Sequence, residues 1–253
     1  MTFSDFPVSP STAGEVDRAF IVQVIHKIPG WLSDYTALRI MELMRWQTNA
    51  GIRGAAFEIG VYAGRCFAVL LREAARAGDL AVGLDTFHRV DEAAVRGHLG
   101  IDGSTGNVRF VHGRSAEFGT ERLVSMLGGA ARFISIDGSH MLDDVRHDLA
   151  VCEGVLSDFG IIASDDFLNP VRMGVAQAIH ERLSGTTDLA PFAYIQNKLF
   201  LCRRSIQSEL LNATMQFCNN DEQGPGVAFA ENNRNGNGRN ETQLYGWPLV
   251  VVP

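Results

Sequence analysis

The sequence has few cysteines and no long apolar run. Its four cysteines, Cys66, Cys152, Cys202 and Cys218, are scattered without C-x-x-C spacing, so we expect them to be buried free thiols. No stretch reaches the roughly eighteen apolar residues of a membrane span. The N-terminus also has no basic segment before an apolar core. These absences predict a cytoplasmic protein that has no membrane partner.

Positive charge is also scarce and is not clustered. The 253 residues include 22 Lys and Arg against 29 Asp and Glu, which gives a net charge of -7. Because nucleic acids are bound by a broad basic surface that neutralises phosphates, no nucleic-acid partner is expected. A hydrophobic fraction of 46% and a charged fraction of 20% are those of an ordinary globular chain. Its length suffices for one sizeable core with an appendage, or for two small domains.

What the sequence does contain is a regular alternation of short apolar runs and amphipathic segments. The apolar runs predict strands, and apolar residues at three- and four-residue steps predict helices. The predicted strands are 55–59, 80–84, 108–111, 132–136 and 160–164, and the predicted helices include 118–127, 141–159 and 171–183. This alternation indicates an α/β fold, a doubly wound and mostly parallel sheet with helices on both faces. Apolar runs on both sides of Gln196 and Asn197 predict an antiparallel hairpin that closes the edge of the sheet.

The two ends of the chain lie outside this alternation. Residues 1–54 contain two helical patterns and are predicted to form an arm that covers a site or a subunit interface. Residues 205–253 are predicted to begin with a helix and to continue as a mobile loop over the Asn- and Gly-rich stretch 219–241. The apolar segment 247–253 would be adhesive if exposed, so we expect it to dock on the core or on another subunit. Both extensions could therefore join copies of the chain into a homo-oligomer.

Two successive predicted strands end in carboxylates. Asp137 follows the first strand, and Asp165 and Asp166 follow the second, with the predicted helix 141–159 between them. A right-handed crossover makes the strands parallel neighbours and brings the three carboxylates to the edge where α/β sheets bind ligands. Converging carboxylates repel one another unless one is protonated or a cation binds, and a hard divalent ion is the simpler interpretation. Alternatively, one aspartate caps a helix or turn and the others are solvated.

A histidine stands three residues after Asp137. At the start of the next predicted helix, the imidazole of His140 could face the same pocket as the carboxylates. This position makes His140 a candidate for proton transfer. The alternative is a structural histidine at the end of a strand.

The turn after the first strand restricts the class of nucleotide that the sheet could bind. The dinucleotide fingerprint is G-x-G-x-x-G, but after Gly60 this chain has Tyr62 and Arg65 at the second and third glycine positions. A nicotinamide-dependent oxidoreductase is therefore disfavoured.

The strand ends suit an adenosine without a pyrophosphate. Glycines in the turn let the backbone approach a ligand closely, and Asp85, after the second strand, could accept hydrogen bonds from two ribose hydroxyls. The candidate cofactor-binding residues are Glu58, Gly60, Tyr62, Gly64, Asp85, Gly113 and Ser115. The alternatives are that the glycines serve only the turn and that Asp85 caps the following segment.

Together these motifs resemble those of the class I S-adenosylmethionine-dependent methyltransferases. More narrowly, the chain resembles the metal-dependent O-methyltransferases that include the macrocin and mycinamicin sugar O-methyltransferases and the cephalosporin-hydroxylase-like proteins. The resemblance covers about residues 55–204 and is carried by the segments 58–65, 85–87, 137–140 and 164–166.

This resemblance implies a Rossmann-like methyltransferase fold in which residues 55–204 form the S-adenosylmethionine-binding catalytic domain. It also implies that Mg²⁺ is held by Asp137, Asp165 and Asp166, and that His140 is the general base. The expected reaction transfers a methyl group to a hydroxyl of a small molecule, a sugar or a glycosylated natural product. The other function classes are a nicotinamide-dependent oxidoreductase and a non-catalytic binding or assembly protein on the same fold.

The chain departs from the family pattern at three places. Leu142 stands where the family usually has an aromatic residue, and Phe159 precedes Gly160 where Gly-Gly is frequent. The segment 88–90 lacks the usual glycine and proline. The first two departures leave the chemistry intact, whereas the third lies in the substrate-side loop and leaves the acceptor open.

Overall fold

The computed structural model describes residues 14–103, 105–221, 224–236 and 241–253. The strands are β1 (Ala55–Ile59), β2 (Ala81–Asp85), β3 (Val108–His112), β4 (Ala131–Ile136), β5 (Leu156–Ser164), β6 (Leu189–Ile195), β7 (Lys198–Arg203), β8 (Glu241–Leu244) and β9 (Trp247–Val252). The α-helices are α1 (Glu15–Gln23), α2 (Asp34–Asn49), α3 (Arg65–Ala77), α4 (Glu92–Leu99), α5 (Thr120–Leu127), α6 (Leu142–Val155), α7 (Met173–Ser184), α8 (Gln207–Asn219) and α9 (Pro225–Arg234). None of the helices in these ranges is long and apolar enough to cross a membrane.

The strands form one mixed sheet in the order β3-β2-β1-β4-β5-β7-β6-β9-β8. Strands β1 to β5 run parallel to one another, while β7 is antiparallel to both β5 and β6. The predicted hairpin is confirmed, with its turn at Gln196 in a left-handed backbone conformation. The sheet continues beyond the hairpin because β9 pairs with β6 and carries β8 at the edge. The apolar C-terminal segment therefore docks on its own core.

Alternating strand residues face two separate hydrophobic layers, as the two-residue period of a strand requires. Phe133 in β4 and Phe200 in β7 pack in the layer that α2, α3 and α8 cover. Ile134, next to Phe133, packs in the opposite layer with residues of α5, α6 and α7. Helices on both faces confirm the doubly wound fold that the sequence predicts.

The N-terminal arm is packed into the first of these layers. Helix α2 begins after Ser33, whose side chain accepts a hydrogen bond from the Thr36 N–H at 3.1 Å. Most of its residues are buried, and the buried Arg39 pairs with Glu42 at 2.8 Å and with Asp221 at 3.3 Å. The arm therefore belongs to the packed structure, while the predicted domain limits at 54 and 204 stay predictions.

One predicted helix boundary was wrong, and one helix had not been specified from the sequence. Helix α6 ends at Val155, not at residue 159, because Leu156 is buried and pairs with Ala131 at the start of β5. Helix α4 lies where we predicted no helix. Asp91 caps it by accepting a hydrogen bond from Ala94 N–H at 2.8 Å. Only Val95 on α4 is buried, so the segment has almost no apolar period to recognise.

The predicted loop over 219–241 was also wrong in part. Helix α9 occupies its middle, starting with Pro225 at a position that favours proline. Phe229 is buried against α8 and supplies the apolar contact that the composition of the stretch did not suggest. Residues 222–223 and 237–240 lie outside the described residues. All four cysteines are buried and free, as predicted.

Candidate active site

The carboxyl ends of β1, β4 and β5 meet at one edge of the sheet because these strands are parallel neighbours. Backbone pairing continues one residue past the strands. Asp137 N–H donates to Ile59 O at 2.9 Å, and Asp165 N–H donates to Ile136 O at 3.0 Å. The structure therefore brings the predicted residues Asp137, Asp165 and Asp166 together.

His140 lies among these carboxylates, as predicted. Its Nε2 atom is 2.9 Å from Asp166 Oδ2 and 3.6 Å from Asp137 Oδ1. The hydrogen bond with Asp137 and the charges of both aspartates raise the pKa of His140, although burial acts in the opposite direction. The imidazole is a quarter exposed, so it is held by carboxylates and still reaches the surface of the site.

Asp166 is fixed by its neighbours. Its backbone is left-handed, with φ of +59°. The side-chain amides of Asn169 and Asn197 donate to its Oδ1 atom at 2.8 and 2.6 Å. Burial tends to raise the pKa of Asp166, but these amide hydrogen bonds and the charge of His140 lower it below its ordinary value. Asp166 is therefore a carboxylate with a defined orientation toward the imidazole.

A lysine that sequence reasoning missed completes the cluster. Lys198 is the first residue of β7, and its Nζ atom lies 3.0 Å from Asp165 Oδ1 and 4.0 Å from Asp137 Oδ2. The side chain is only 3% exposed. Burial alone would lower the pKa of Lys198, but the charges of Asp165 and Asp137 outweigh it and raise the pKa. Lys198 is therefore an ammonium ion inside the predicted metal site.

The sequence did carry a signal for this residue. The chain has only two lysines, Lys27 and Lys198. Lys198 stands inside an apolar strand pattern, where a charged residue is unexpected unless it is paired. What the sequence could not supply was the partner, because β7 reaches β5 only through the fold of the sheet.

In this arrangement the aspartates leave no open ligand set for a divalent ion. Asp165 and Asp137 face the Lys198 ammonium, and Asp166 faces His140. Across the ranges that the structure describes, no group of three or more His, Cys, Asp and Glu side chains is arranged to hold a metal ion. The carboxylates that were predicted to bind Mg²⁺ are instead paired with nitrogen atoms of the protein.

The ends of β1 and β2 carry the predicted cofactor residues. Asp85 accepts hydrogen bonds from the backbone N–H groups of Tyr62 and Phe87, both at 2.8 Å. The backbone is left-handed at Gly60, Tyr62 and Gly64, with φ of +87°, +49° and +94°. A Cβ atom at Gly60 would lie 2.1 Å from the carbonyl oxygen of Asp137. The glycine is therefore needed where the turn after β1 touches the segment after β4.

The remaining predicted cofactor residues lie below or beside this turn. Glu58 is buried under the edge of the sheet, and burial raises its pKa to about 8. Gly113 N–H donates to Asp85 O at 3.0 Å, which places the end of β3 next to Asp85. Ser115 O accepts a hydrogen bond from His147 at 3.0 Å. The structure thus groups Asp85, the turn after β1 and Gly113 at the edge of the sheet, while the Glu58 side chain is buried.

A cleft of about 360 Å³ opens between the N-terminal arm and the hairpin of β6 and β7. It is lined by Gly30, Trp31, Leu32, Ser33, Thr36, Arg65, Asp165, Gln196, Asn197 and Lys198. Arg65 donates to the carbonyl oxygens of Ile28 and Gly30 at 2.8 Å, which fixes the arm to α3. Trp31 is 84% exposed and stacks on Tyr62 with ring centroids 5.8 Å apart. The arm therefore forms one wall of the cleft.

Exposed apolar side chains surround the His140 side of the site. Met141, Leu168, Val171 and Met173 are all more than half exposed. The first lies in the loop after β4, the next two in the loop after β5, and Met173 is the first residue of α7. The loop after β4 and the start of α7 are in contact, because a Cβ atom at Gly174 would lie 2.8 Å from the carbonyl oxygen of His140. An apolar rim, defined here as these four side chains, therefore borders the charged cluster.

Comparison with known proteins shows which domain and fold this chain is similar to. Residues 57–167 match a protein family described as a methyltransferase domain. No curated protein matches the sequence. Structures that are similar in fold include CalS11, a TDP-rhamnose 3'-O-methyltransferase of calicheamicin biosynthesis. It has 16% identity and a TM-score of 0.52, and the match covers 78% of this chain and 89% of that chain.

Two further structures share the fold. The O-methyltransferase from Bacillus cereus in complex with SAH has 13% identity and a TM-score of 0.53, with 78% of this chain and 93% of that chain covered. The O-methyltransferase TomG from Streptomyces achromogenes, involved in tomaymycin synthesis and in complex with SAM, has 16% identity and a TM-score of 0.51, with 79% and 92% covered. The match at residues 57–167 and the fold shared with these O-methyltransferases agree with the resemblance that the sequence motifs predict.

Proposed function

We propose that the protein is an S-adenosylmethionine-dependent O-methyltransferase that acts on a hydroxyl of a small molecule, a sugar or a glycosylated natural product. The observation that carries this proposal is His140, held between Asp137 and Asp166 in a methyltransferase domain. CalS11, which has the same fold, is a methyltransferase of TDP-rhamnose. The nicotinamide alternative has no matching glycine fingerprint, and the methyltransferase domain also speaks against a mere binding protein.

The residues at the ends of β1 and β2 fit an adenosine. Each carboxylate oxygen of Asp85 accepts one backbone hydrogen bond. Oδ1 also accepts a hydrogen bond from the Thr86 hydroxyl at 3.4 Å, while Oδ2 keeps a second lone pair for a ribose hydroxyl. The turn 60–64, Gly113 and Ser115 would border the nucleoside. When bound, S-adenosylmethionine supplies a methyl group on a sulfonium.

His140 is the proposed general base. An aliphatic hydroxyl has a pKa near that of water, roughly 15.7, so it is a poor nucleophile unless a base accepts its proton. The Nε2 atom of His140 faces Asp166, which would stabilise the imidazolium that forms on proton transfer. Asp137 approaches the same Nε2 atom at a longer distance and would act as a positioning residue for the base.

The predicted Mg²⁺ ion is not used in this mechanism. The ligand set proposed for it was Asp137, Asp165 and Asp166, but Lys198 and His140 are paired with these carboxylates. A chelator experiment tests whether methyl transfer needs Mg²⁺.

The apolar rim bears on the acceptor. Four exposed apolar side chains next to a charged cluster favour an amphipathic acceptor, whose hydroxyl meets His140 while an apolar part contacts the rim. A glycosylated natural product has both parts, and a free monosaccharide has only the first. We therefore expect glycosides with an apolar aglycone to be better acceptors than free sugars.

The test is methyl transfer from S-adenosylmethionine labelled in its methyl group. The acceptors are free sugars, nucleotide sugars and glycosides with apolar aglycones, each paired with an analogue in which the hydroxyls are replaced by hydrogen. We expect label on oxygen with at least one hydroxylated acceptor and none with its deoxy analogue. Label that appears on nitrogen or carbon, or transfer that survives loss of the hydroxyl, would contradict the proposal.

A further inference from the structure

Lys198 is built into the acceptor site by the sheet itself. Strand β7 pairs antiparallel with β5, and Leu199 is opposite Ser164. This register places Lys198 opposite Asp165, at the point where β5 ends. The Lys198 side chain is only 3% exposed, so it is enclosed together with the carboxylates that it contacts.

The lysine takes the position at which an ion would bridge two aspartates. Its Nζ atom is 3.0 Å from Asp165 and 4.0 Å from Asp137. Mg²⁺ needs oxygen ligands at about 2.0–2.1 Å, so an ion shared by the same two carboxylates would lie within a few ångströms of the ammonium. Two cations that close in a buried site repel each other strongly. The third aspartate is also engaged, through the amide of Asn197 at 2.6 Å.

An ammonium also offers what an acceptor oxygen needs. Lys has three N–H donors, and two of them can serve Asp165 and Asp137. Because Lys198 lines the cleft together with Asp165 and Asn197, its charge lies beside the space that the acceptor would occupy. A positive charge at that position favours the developing oxyanion when His140 takes the proton.

We infer that Lys198 is the resident cation of this site. It occupies the place predicted for a divalent ion, so that the protein orients and polarises the acceptor hydroxyl with an ammonium group and without a metal. The occupancy of the cation position follows from the geometry alone, whereas the effect on the acceptor rests on the proposed methyl transfer.

The test uses Mn²⁺ as the probe, followed by electron paramagnetic resonance on the full-length protein. Wild type should bind no stoichiometric Mn²⁺ at millimolar concentration. Lys198→Met keeps most of the side-chain length but removes the ammonium group. It should gain one bound Mn²⁺ that is lost again in Lys198→Met/Asp165→Asn. Lys27→Met, at the exposed second lysine of the chain, is the matched control and should behave as wild type.

Turnover provides a second readout. Wild-type methyl transfer should change less than twofold after exhaustive chelation, and Lys198→Met should lose turnover while its affinity for S-adenosylhomocysteine stays within about twofold. Two results would overturn the inference. The first is that wild type binds one equivalent of Mn²⁺ and Asp165→Asn abolishes this binding. The second is that chelation removes turnover and Mg²⁺ restores it. If Lys198→Met does not fold, the two wild-type measurements decide alone. If no methyl transfer is found, the proposed function is contradicted. The Mn²⁺ experiment would still decide whether Lys198 occupies the cation position.

Discussion

The two halves of the sheet edge are constructed differently. The half that we propose for the cofactor, here the cofactor half, lies at the ends of β1, β2 and β3 and consists of backbone turns tied to one carboxylate, Asp85. The half that we propose for the acceptor, here the acceptor half, lies at the ends of β4, β5 and β7. It is a cluster of charged side chains of opposite sign around His140 and Lys198. The first half is made of contiguous segments, and the second depends on a hairpin that comes much later in the chain. The cofactor half is therefore defined by its backbone conformation, whereas the acceptor half is defined by its charged side chains.

The largest effect is expected in the acceptor half, from His140→Ala. Loss of a positioned base should lower turnover by about 10² to 10⁴-fold, while affinity for S-adenosylmethionine, which depends on the other half, stays near wild type. Single-turnover kinetics and calorimetry on the same preparation would separate the two effects. His26→Ala is the control, since His26 lies on the surface and pairs only with Asp34. Near-normal turnover of His140→Ala would make the histidine structural.

The next effect concerns Glu58, a buried residue of β1. Its pKa is raised from 4.5 to about 8 by burial, so the folded protein holds the proton more tightly than the unfolded chain does. The contribution of Glu58 to the free energy of unfolding is complete below about pH 4.5. It is lost as the pH rises toward 8, by up to about 1.4 kcal/mol per pH unit.

Glu58→Gln removes this titration and should be less destabilised by rising pH than wild type. Urea unfolding of both proteins at pH 5.5 and 7.5 measures the difference, because titrations that they share cancel. Identical losses of stability in the two proteins would show that Glu58 is already ionised in the folded state.

In the cofactor half, Asp85→Ala should weaken S-adenosylmethionine binding. Removal of a charged hydrogen-bond acceptor costs about 1.5–3 kcal/mol, which corresponds to roughly a 10- to 150-fold rise in Kd. Calorimetry gives Kd directly. Asp158→Ala, at an exposed position of β5, should leave it unchanged. An unaltered Kd in Asp85→Ala would assign the ribose to another residue.

The smallest effect is expected from Trp31→Ala at the wall of the cleft. Trp31 is highly exposed and contacts Tyr62 through its ring, so its loss should not affect folding. An aromatic contact is worth about 0.5–1.5 kcal/mol, and KM for the acceptor should therefore rise by about two- to tenfold with kcat nearly constant. Val22→Ala, an exposed apolar residue on α1, is the control. A fall in kcat without a change in KM would place Trp31 outside the acceptor site.

Sequence reasoning was sufficient where a motif is local. The succession of strands β1 to β5 along the chain and the turn at Gly60 could be predicted because each depends on a short segment. The three aspartates could be placed together because parallel strands end at the same edge of the sheet. The hairpin at Gln196 was predicted for the same reason. Helix α4 and the start of β5 were missed because tertiary pairing, not local periodicity, determines them.

The residues that could not be predicted come from distant segments. Lys198 contacts Asp165 only because β7 pairs with β5, and Trp31 enters the cleft only because Arg65 holds the arm against α3. No short pattern encodes either contact. A lysine in an apolar strand was the one visible sign, since an unpaired charge would not be buried there.

The most direct test of a sheet edge divided into a cofactor half and an acceptor half is a crystal structure of the protein with S-adenosylhomocysteine. We expect the ribose hydroxyls within hydrogen-bond distance of Asp85 and the sulfur directed toward the cleft, with Trp31 and Lys198 on its walls and His140 across from it. A nucleoside bound away from Asp85, or a sulfur that points away from the cleft, would contradict this account.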